Sequence, residues 1–120
     1  MFSWAYSRGN LTLYIDEILP LVTRLSGAVW QSSDMAQVIQ MGRTRNVGLW
    51  ISTQRPARIP INVITESEHD FIFNLRNKAD RERMAEYTDE VTMTRRPTGH
   101  GFWYYSDRDQ ILRYFSRLAI

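Results

Sequence analysis

Two adjacent carboxylates, Asp16 and Glu17, end a short strand-like segment and are the residues of this chain best suited to chemistry. Nucleotide hydrolysis needs such a pair, because one carboxylate holds Mg²⁺ through its water shell and the other polarises the attacking water. The alternative is structural, since acids at a strand end also solvate a loop or cap a helix. The choice depends on the elements that position the two side chains.

The segment before the carboxylates has the pattern of a strand that is covered on both faces. Leu11, Leu13 and Ile15 fall on one face of an extended chain, and Thr12 and Tyr14 fall on the other. This pattern is typical of parallel sheets. In open α/β sheets, ligands bind at the C-terminal edge of the strands, where loops and helix N-termini present N–H groups to anions. The two carboxylates are therefore expected at a ligand-binding edge.

A second strand-like segment supports this interpretation. Residues 47–53 are apolar on both faces and lead into Gln54-Arg55-Pro56. Between the two strands, the spacing predicts a helix from residue 33 or 34 to about residue 45, with an apolar stripe formed by Met35, Val38, Ile39 and Gly42. Strand, helix and strand together predict a βαβ unit whose two strand ends are polar.

The whole pattern resembles the FtsK–HerA group of RecA-like P-loop ATPases, which are ring motors that move double-stranded DNA in chromosome segregation, conjugation and virus packaging. The resemblance covers roughly residues 11–75 and is strongest in residues 53–56. It implies that Asp16 and Glu17 form a Walker B motif, with Asp16 acting on Mg²⁺ through water and Glu17 on the attacking water. It also implies that Gln54 senses the γ-phosphate of ATP.

Two neighbours of Gln54 become candidates for nucleotide contact through the same resemblance. Thr53 precedes it and Arg55 follows it in the most similar stretch. Arg55 and Arg58 could equally face pore DNA or solvent. Both alternatives stay open from the sequence.

Arg43 and Arg45 lie in the last turn of the predicted helix between the strands. Cations there suit the negative end of the helix dipole, which is a sufficient structural reason for them. In related packaging motors an arginine finger lies between Walker B and the sensor strand, and it stabilises phosphate charge across a subunit boundary. The resemblance makes both residues candidates and does not choose between them.

One part of the family pattern is missing. The Gly-rich Walker A loop, G-x-x-x-x-G-K-[ST], is not present, and the only lysine of the chain is Lys78. We therefore expect the back half of a motor, which hydrolyses ATP only when a Walker A part completes it. The partners expected are a missing N-terminal part or a second copy, and double-stranded DNA through an assembled ring. The alternative is a non-catalytic interaction or regulatory module derived from such an ATPase.

The fold class expected is α/β: a single partial RecA-like domain over residues 1–120, in which parallel strands are flanked by helices. A helix over Phe2–Arg8 capped by Gly9, a short helix from Pro20, a loop at Ser26-Gly27 and a short helix over 60–66 are predicted. The remaining predictions are a third parallel core strand at 70–75, a helix over 77–87 opened by an Asn77/Asp80 capping pair, and a C-terminal hairpin over 101–116.

Composition sets outer bounds on these expectations. The chain has 120 residues, 43% of them hydrophobic, so a single small packed domain is expected. It has no cysteine, which excludes a disulfide scaffold and thiol chemistry. No leader-like or membrane-spanning run is found, and a cytoplasmic protein without membrane contact is expected. Residues 66–70 contain metal-ligand types, but consecutive residues of an extended segment cannot converge on one ion, so a loop rim is expected there.

Overall fold

The computed structural model describes residues 1–22 and 33–118, and the predicted loop at Ser26-Gly27 lies outside these ranges. The chain divides into two compact units. The first unit comprises Met1–Gln54 and Arg58–Glu66, and the second comprises Arg55–Ala57 and Ser67–Ile120. No helix in the described ranges is both long enough and apolar enough to cross a membrane.

The first unit begins with helix α1, Phe2–Arg8, which ends at Gly9 as predicted. Gly9 has a φ of 68°, in the left-handed region that glycine adopts without strain. A Cβ atom at this position would lie 2.7 Å from the carbonyl oxygen of Arg45. Glycine is therefore required both by the turn and by the close approach of the backbone at Arg45.

The predicted helix between the two strands is present in two parts. Helix α3, Asp34–Met41, starts at Ser33, whose hydroxyl accepts the N–H of Ala36 and so caps the helix. The chain then tightens into a 3₁₀ turn over Gly42–Arg45. Of the predicted apolar stripe, Met35, Val38 and Gly42 are buried and Ile39 is half-buried, and Ala36, outside that stripe, is buried as well. A short helix, α2, Leu19–Val22, begins one residue before Pro20, close to its predicted position.

Strands β1, Leu11–Ile15, and β2, Val47–Ile51, pair in parallel, as the sequence predicts. The register places Tyr14 beside Trp50, and these two side chains are 70% and 59% exposed. Ile15 and Val47 on the other face are buried. The expectation that both faces would be covered is thus wrong for the described residues, which cover only the Ile15 face.

The first unit also contains helix α4, Ile61–Thr65, which confirms the short helix predicted over 60–66. Before it, a 3₁₀ turn spans Pro56–Arg58. Prolines at 56 and 60 disfavour longer regular structure, and the single turn that forms between them is compatible with the fixed φ of proline. Beyond the end of β2 the chain therefore continues in short turns and a short helix.

In the second unit, β3, His69–Ile72, β4, Phe102–Ser106, and β5, Leu112–Phe115, form an antiparallel sheet in the order β3-β4-β5. Strands β4 and β5 are the predicted C-terminal hairpin. The strand predicted at 70–75 is present as β3, which ends at Ile72 and runs antiparallel to β4 with Ile72 beside Trp103. Its parallel direction relative to β1 and β2 stays a prediction. The pairing of β3 with β4 places Phe71 beside Tyr104, and cross-strand aromatic pairs of this kind stabilise an antiparallel ladder.

Aromatic rings pack across the antiparallel sheet. The ring of Phe102 is 3% exposed and lies 5.4 Å from Phe115, 5.4 Å from Phe73 and 6.0 Å from Phe71, measured between ring centroids. On the opposite face, Trp103 meets Tyr114 edge to face at 5.0 Å. The aromatic residues of the hairpin therefore serve cross-strand packing.

Helix α5, Lys78–Tyr87, is present as predicted and is followed by the short helix α6, Val91–Thr94. The predicted capping pair is not formed, because the Asn77 side chain makes no capping hydrogen bond. Asp80 is instead fully buried and accepts hydrogen bonds from Arg55 Nε at 2.8 Å and from the Ala57 N–H at 2.9 Å. The carboxylate therefore binds the 55–57 segment to the helix, since a buried charge needs these partners.

Arg81, on helix α5, binds the backbone of the segment that precedes the helix. Its Nη1 donates to the carbonyl oxygens of Leu75 and Arg76, at 2.9 and 2.8 Å. Guanidinium groups satisfy carbonyl oxygens that the backbone leaves without a partner, so Arg81 fixes the loop that precedes α5.

Candidate functional site

The C-terminal ends of β1 and β2 form the candidate site of the first unit. The register runs to Ile15 beside Ile51, so the next residues, Asp16 and Ser52, leave the strands side by side. The Ser52 N–H donates to the Ile15 carbonyl at 3.0 Å, and the Ile18 N–H donates to the Ser52 carbonyl at 2.9 Å. These two bonds extend the parallel ladder beyond the strands and hold the acidic turn in place.

The hydroxyl of Ser52 connects the two carboxylate residues. It donates to Oδ1 of Asp16 at 2.7 Å and accepts the backbone N–H of Glu17 at 2.9 Å. A serine hydroxyl has one donor and two acceptor positions, so both bonds form at once. Ser52 thus orients the Asp16 carboxylate and the Glu17 backbone together.

Glu17 is held more tightly than Asp16. Its Oε1 accepts the Thr53 hydroxyl at 3.0 Å and the Leu19 N–H at 3.2 Å, and its Oε2 accepts the Gln54 N–H at 3.0 Å. Its backbone has a φ of 54°, in the left-handed region that is uncommon for residues other than glycine. Strained backbone of this kind persists where the surroundings fix it, and here three side-chain bonds do so.

The two acids consequently differ in what they offer to a ligand. Asp16 is exposed, and the bond from Ser52 engages only its Oδ1. Glu17 is partly buried, and a carboxylate has about four acceptor positions, of which the three bonds to Glu17 leave about one. The site therefore has an exposed carboxylate, that of Asp16, next to the Glu17 carboxylate, which is fixed in orientation and retains about one acceptor position.

The structure brings together four of the residues predicted for the site: Asp16, Glu17, Thr53 and Gln54. The Thr53 hydroxyl contacts Glu17, whereas Gln54 contacts it through the backbone N–H and has an exposed side chain. Arg55 belongs to the second unit, where its guanidinium pairs with Asp80. A nucleotide-contact role for any of these residues remains a prediction.

The two candidate fingers lie elsewhere in the first unit. Arg43 and Arg45 precede β2, at the end of the strands opposite to Asp16, roughly 15 Å away for a five-residue strand. Arg45 donates through Nε to the Tyr6 carbonyl at 3.0 Å and through Nη2 to the Ser7 carbonyl at 2.6 Å. Its guanidinium therefore caps the C-terminal end of α1, a position that the helix dipole favours for a cation.

Ser52 is the functional candidate that the sequence reasoning missed. The sequence pattern places it within the strand, although its hydroxyl makes the bonds that connect Asp16 to Glu17. A signal was available, because aligning the last apolar residues of the two strands places Ser52 opposite Asp16. The contact between Ser52 and Asp16 depends on the register in which β1 and β2 pair. That register cannot be predicted from the sequence of either strand alone.

The described residues fit one part of a magnesium nucleotide site. Carboxylate oxygens are the ligands that Mg²⁺ prefers, and the open Asp16 carboxylate suits binding through a water shell. The phosphate-cradling part has no counterpart here, since the sequence contains no G-x-x-x-x-G-K-[ST] run. Among the described residues, no three His, Cys, Asp or Glu side chains are grouped so as to hold a metal ion directly.

Comparison with solved structures relates this architecture to a viral protein. The genome packaging NTPase B204 from Sulfolobus turreted icosahedral virus 2, in complex with ATP-gammaS, matches with a TM-score of 0.74 and 17% identity, over 90% of this chain and 52% of that protein. The same NTPase in complex with AMPPCP matches with a TM-score of 0.75 and 18% identity, over 92% and 56% of the two chains.

The chain has a partial P-loop NTPase fold. A third structure agrees: B204, the DNA-packaging ATPase from Sulfolobus Turreted Icosahedral Virus, matches with a TM-score of 0.74 and 19% identity, over 90% of this chain and 52% of that protein. The chain thus spans about half the length of the NTPase structures that it matches. No family model matches the chain, and no curated protein matches it significantly.

Proposed function

We propose that this chain supplies the carboxylate-bearing half of a nucleotide-hydrolysis site in a DNA-packaging type of motor. The observation that carries the proposal is the pair of acids at the C-terminal end of β1, tied by side-chain bonds to the end of β2. The likeness to an NTPase solved with nucleotide analogues supports it, as does the position of ligands in open α/β sheets.

In this proposal the two acids have separate roles. Asp16 holds Mg²⁺ through the metal's water shell, because its carboxylate is exposed and oriented by Ser52. Glu17 accepts a hydrogen bond from the attacking water with its remaining lone pair and so raises the nucleophilicity of that water. The bonds from Thr53 and Gln54 keep the Glu17 carboxylate in one orientation, which favours a fixed water position.

The other candidate residues act on the phosphates of the nucleotide. The exposed side chain of Gln54 extends from the anchored backbone and contacts the γ-phosphate of ATP, with Thr53 and Arg55 as neighbours. Arg43 and Arg45 are the two candidates to act on a neighbouring subunit, and the guanidinium of Arg45 also donates to two carbonyl oxygens of α1. The phosphate-binding loop comes from another segment or chain, and DNA is the substrate that the assembled motor moves.

One observation favours a second function, that of a non-catalytic interaction or regulatory module. Three hydrogen bonds already engage Glu17, and the same bonds would make the side chain a structural tie between two strand ends. In such a module the acids stabilise the fold and no nucleotide is consumed. The two functions differ in what replacing Glu17 does to turnover.

The test is steady-state ATP hydrolysis by the native assembly that contains this chain, with and without Glu17→Gln. Gln has the same shape but does not polarise water as a carboxylate does, so kcat should fall by about 100-fold or more. Glu66→Gln, at an exposed acid of the same unit, serves as the matched control and should leave kcat within about twofold. An assembly with unchanged turnover after Glu17→Gln, or with none before it, supports the interaction module instead.

A further inference from the structure

Both carboxylate oxygens of Asp80 bind a segment that lies far earlier in the chain. Oδ2 accepts a hydrogen bond from Nε of Arg55, 25 residues before it, and Oδ1 accepts the N–H of Ala57, 23 residues before it. The side chain of Asp80 is 1% exposed and that of Arg55 is 31% exposed. A charge-assisted bond is strong, and a buried carboxylate that loses its partners is strongly disfavoured. Residues 55–57 are therefore held firmly against α5.

The helix gives Asp80 a fixed position from which to hold this segment. Asp80 lies in the first turn of α5, where the helix dipole favours a negative charge. An acid at such a position often caps the N–H groups of its own helix, whereas each Asp80 oxygen bonds to the 55–57 segment. The contact with that segment is therefore the main role of the carboxylate.

The segment held by Asp80 follows Gln54 directly in the chain. The N–H of Gln54 donates to Oε2 of Glu17 at 3.0 Å, and the Gln54 side chain is exposed. A peptide bond joins Gln54 to Arg55, whose guanidinium is bound by Asp80. The backbone of Gln54 is thus anchored before its Cα by Glu17 and after it by Asp80.

Little slack remains between the two anchors, because the next residue is a proline. Pro56 is buried and begins the 3₁₀ turn Pro56–Arg58. Proline fixes its own φ and restricts the residue before it to extended backbone, so both Pro56 and Arg55 have few conformations available. The N–H of Ala57 is then held by Oδ1 of Asp80. A displacement of Gln54 therefore cannot be absorbed within the segment and reaches the bonds to Asp80.

We propose that Asp80 is a positioning residue for Gln54. By holding the chain that leaves Gln54, it sets the backbone torsions of Gln54 and hence the direction of the exposed Gln54 side chain. The contact of that side chain with a γ-phosphate rests on the proposed function, whereas the coupling between the two anchors requires no nucleotide. Such coupling is reciprocal, so a ligand that displaces Gln54 also changes the bond between Arg55 and Asp80.

The test is amide hydrogen exchange of the 120-residue chain, followed by NMR without nucleotide. Asp80→Asn keeps the shape of the side chain and can still accept the Ala57 N–H, but it removes the charge that holds Arg55. Exchange of the Gln54 N–H should become about tenfold faster, since a bond to a charged acceptor is lost. Glu82→Gln removes an exposed acid of the same helix, paired with Lys78 at 3.5 Å, and as the matched control should change this exchange by less than about twofold.

Two comparisons separate positioning from a purely structural role. In Asp80→Asn, the β4 amides, which report opening of the antiparallel sheet, should become less than about threefold faster. Arg55→Lys keeps a cation beside Asp80 and should leave Gln54 exchange within about threefold of the native rate. If Asp80→Asn does not fold, Arg55→Gln/Asp80→Asn replaces the buried ion pair by two neutral amides, and Gln54 exchange should be about fivefold faster, because a neutral bond is weaker.

The reciprocal experiment starts from the other anchor. Glu17→Gln removes the charged acceptor of the Gln54 N–H, so exchange of the Arg55 Nε–H should become about threefold faster. Unchanged exchange at Gln54 in the Asp80 variants, an equal rise in Glu82→Gln, an equal rise at the β4 amides, or unchanged exchange at Arg55 in Glu17→Gln would each overturn the proposal. ATP turnover is measured separately, so an assembly without turnover would remove the proposed function and leave the coupling between the two anchors in place.

Discussion

The strands of the two compact units are joined by different kinds of side-chain contact. In the first, the ends of β1 and β2 are joined by hydroxyl and carboxylate hydrogen bonds around Ser52 and Glu17. In the second, the strands are joined by aromatic rings around Phe102. Hydrogen bonds are directional but each contributes little net free energy, whereas buried rings contribute more and specify position less sharply. The strand ends that carry the candidate chemistry are therefore positioned by directional hydrogen bonds.

Asp80, a fully buried carboxylate of the second unit, fits this contrast. It holds Arg55 and the Ala57 N–H, and its charge is compensated within the same unit. A fully buried acid is inaccessible to a ligand, whatever acceptor positions it retains. Burial of a charge alone therefore does not mark a site, and the exposed Asp16 is the more informative carboxylate.

The largest expected effect tests the aromatic side of the comparison. Phe102→Ala removes a ring that is 3% exposed and packed against three other phenylalanines, so the free energy of unfolding should fall by about 3–5 kcal/mol. Urea titration followed by circular dichroism measures it. Phe73→Ala, at a ring that is 54% exposed, is the control and should cost about 1 kcal/mol. Equal losses would contradict a core centred on Phe102.

A smaller effect is expected on the polar side. Ser52→Ala removes the donor to Asp16 and the acceptor of the Glu17 N–H, so unfolding should become easier by about 2 kcal/mol, at about 1 kcal/mol for each bond. The same titration measures it, with Ser116→Ala at an exposed position as the control. A loss below about 0.5 kcal/mol would mean that Ser52 does not hold the strand ends together.

The smallest effect concerns pH and lies in the second unit. Burial raises the pKa of Asp70 above its usual 3.8, and the Asp107 charge adds to the rise against opposing contributions from Ser67 and His69. Because the folded state then keeps the proton to higher pH than the unfolded state, stability falls as pH rises from about 4 through the raised pKa. Asp70→Asn removes this loss, so its stability relative to the native chain should be greater at pH 7 than at pH 3.

Unfolding free energies of the native chain and of Asp70→Asn, measured from pH 3 to pH 7, test this pH dependence. Asp107→Asn, which removes only the neighbouring like charge, should change the pH dependence in the same direction and by less. A larger effect for Asp107→Asn than for Asp70→Asn would mean that burial of Asp70 is not the main cause.

The sequence predicted local features well and long-range pairing only in part. Gly9, the Ser33 cap and the hairpin are encoded by nearby residues, and all three are present. The pairing of β3 with β4 was not predicted, because a short apolar strand has the same pattern in a parallel and an antiparallel sheet. The partners of the polar side chains could not be predicted from the sequence either. Asp80, for example, accepts a hydrogen bond from Arg55, which lies 25 residues earlier in the chain.

The strand pair that carries the acids also has a consequence for how the chain can change in length. The bond between Ser52 and Asp16 spans 36 residues. Closing a loop of that size costs entropy that grows only with the logarithm of its length, so doubling it would cost roughly 0.6 kcal/mol more. Insertions in the connecting chain are therefore tolerated thermodynamically, whereas a single residue inserted inside either strand would reverse the faces of the pair and separate Ser52 from Asp16. Natural variation in length should accordingly collect between β1 and α3 and avoid the strands themselves.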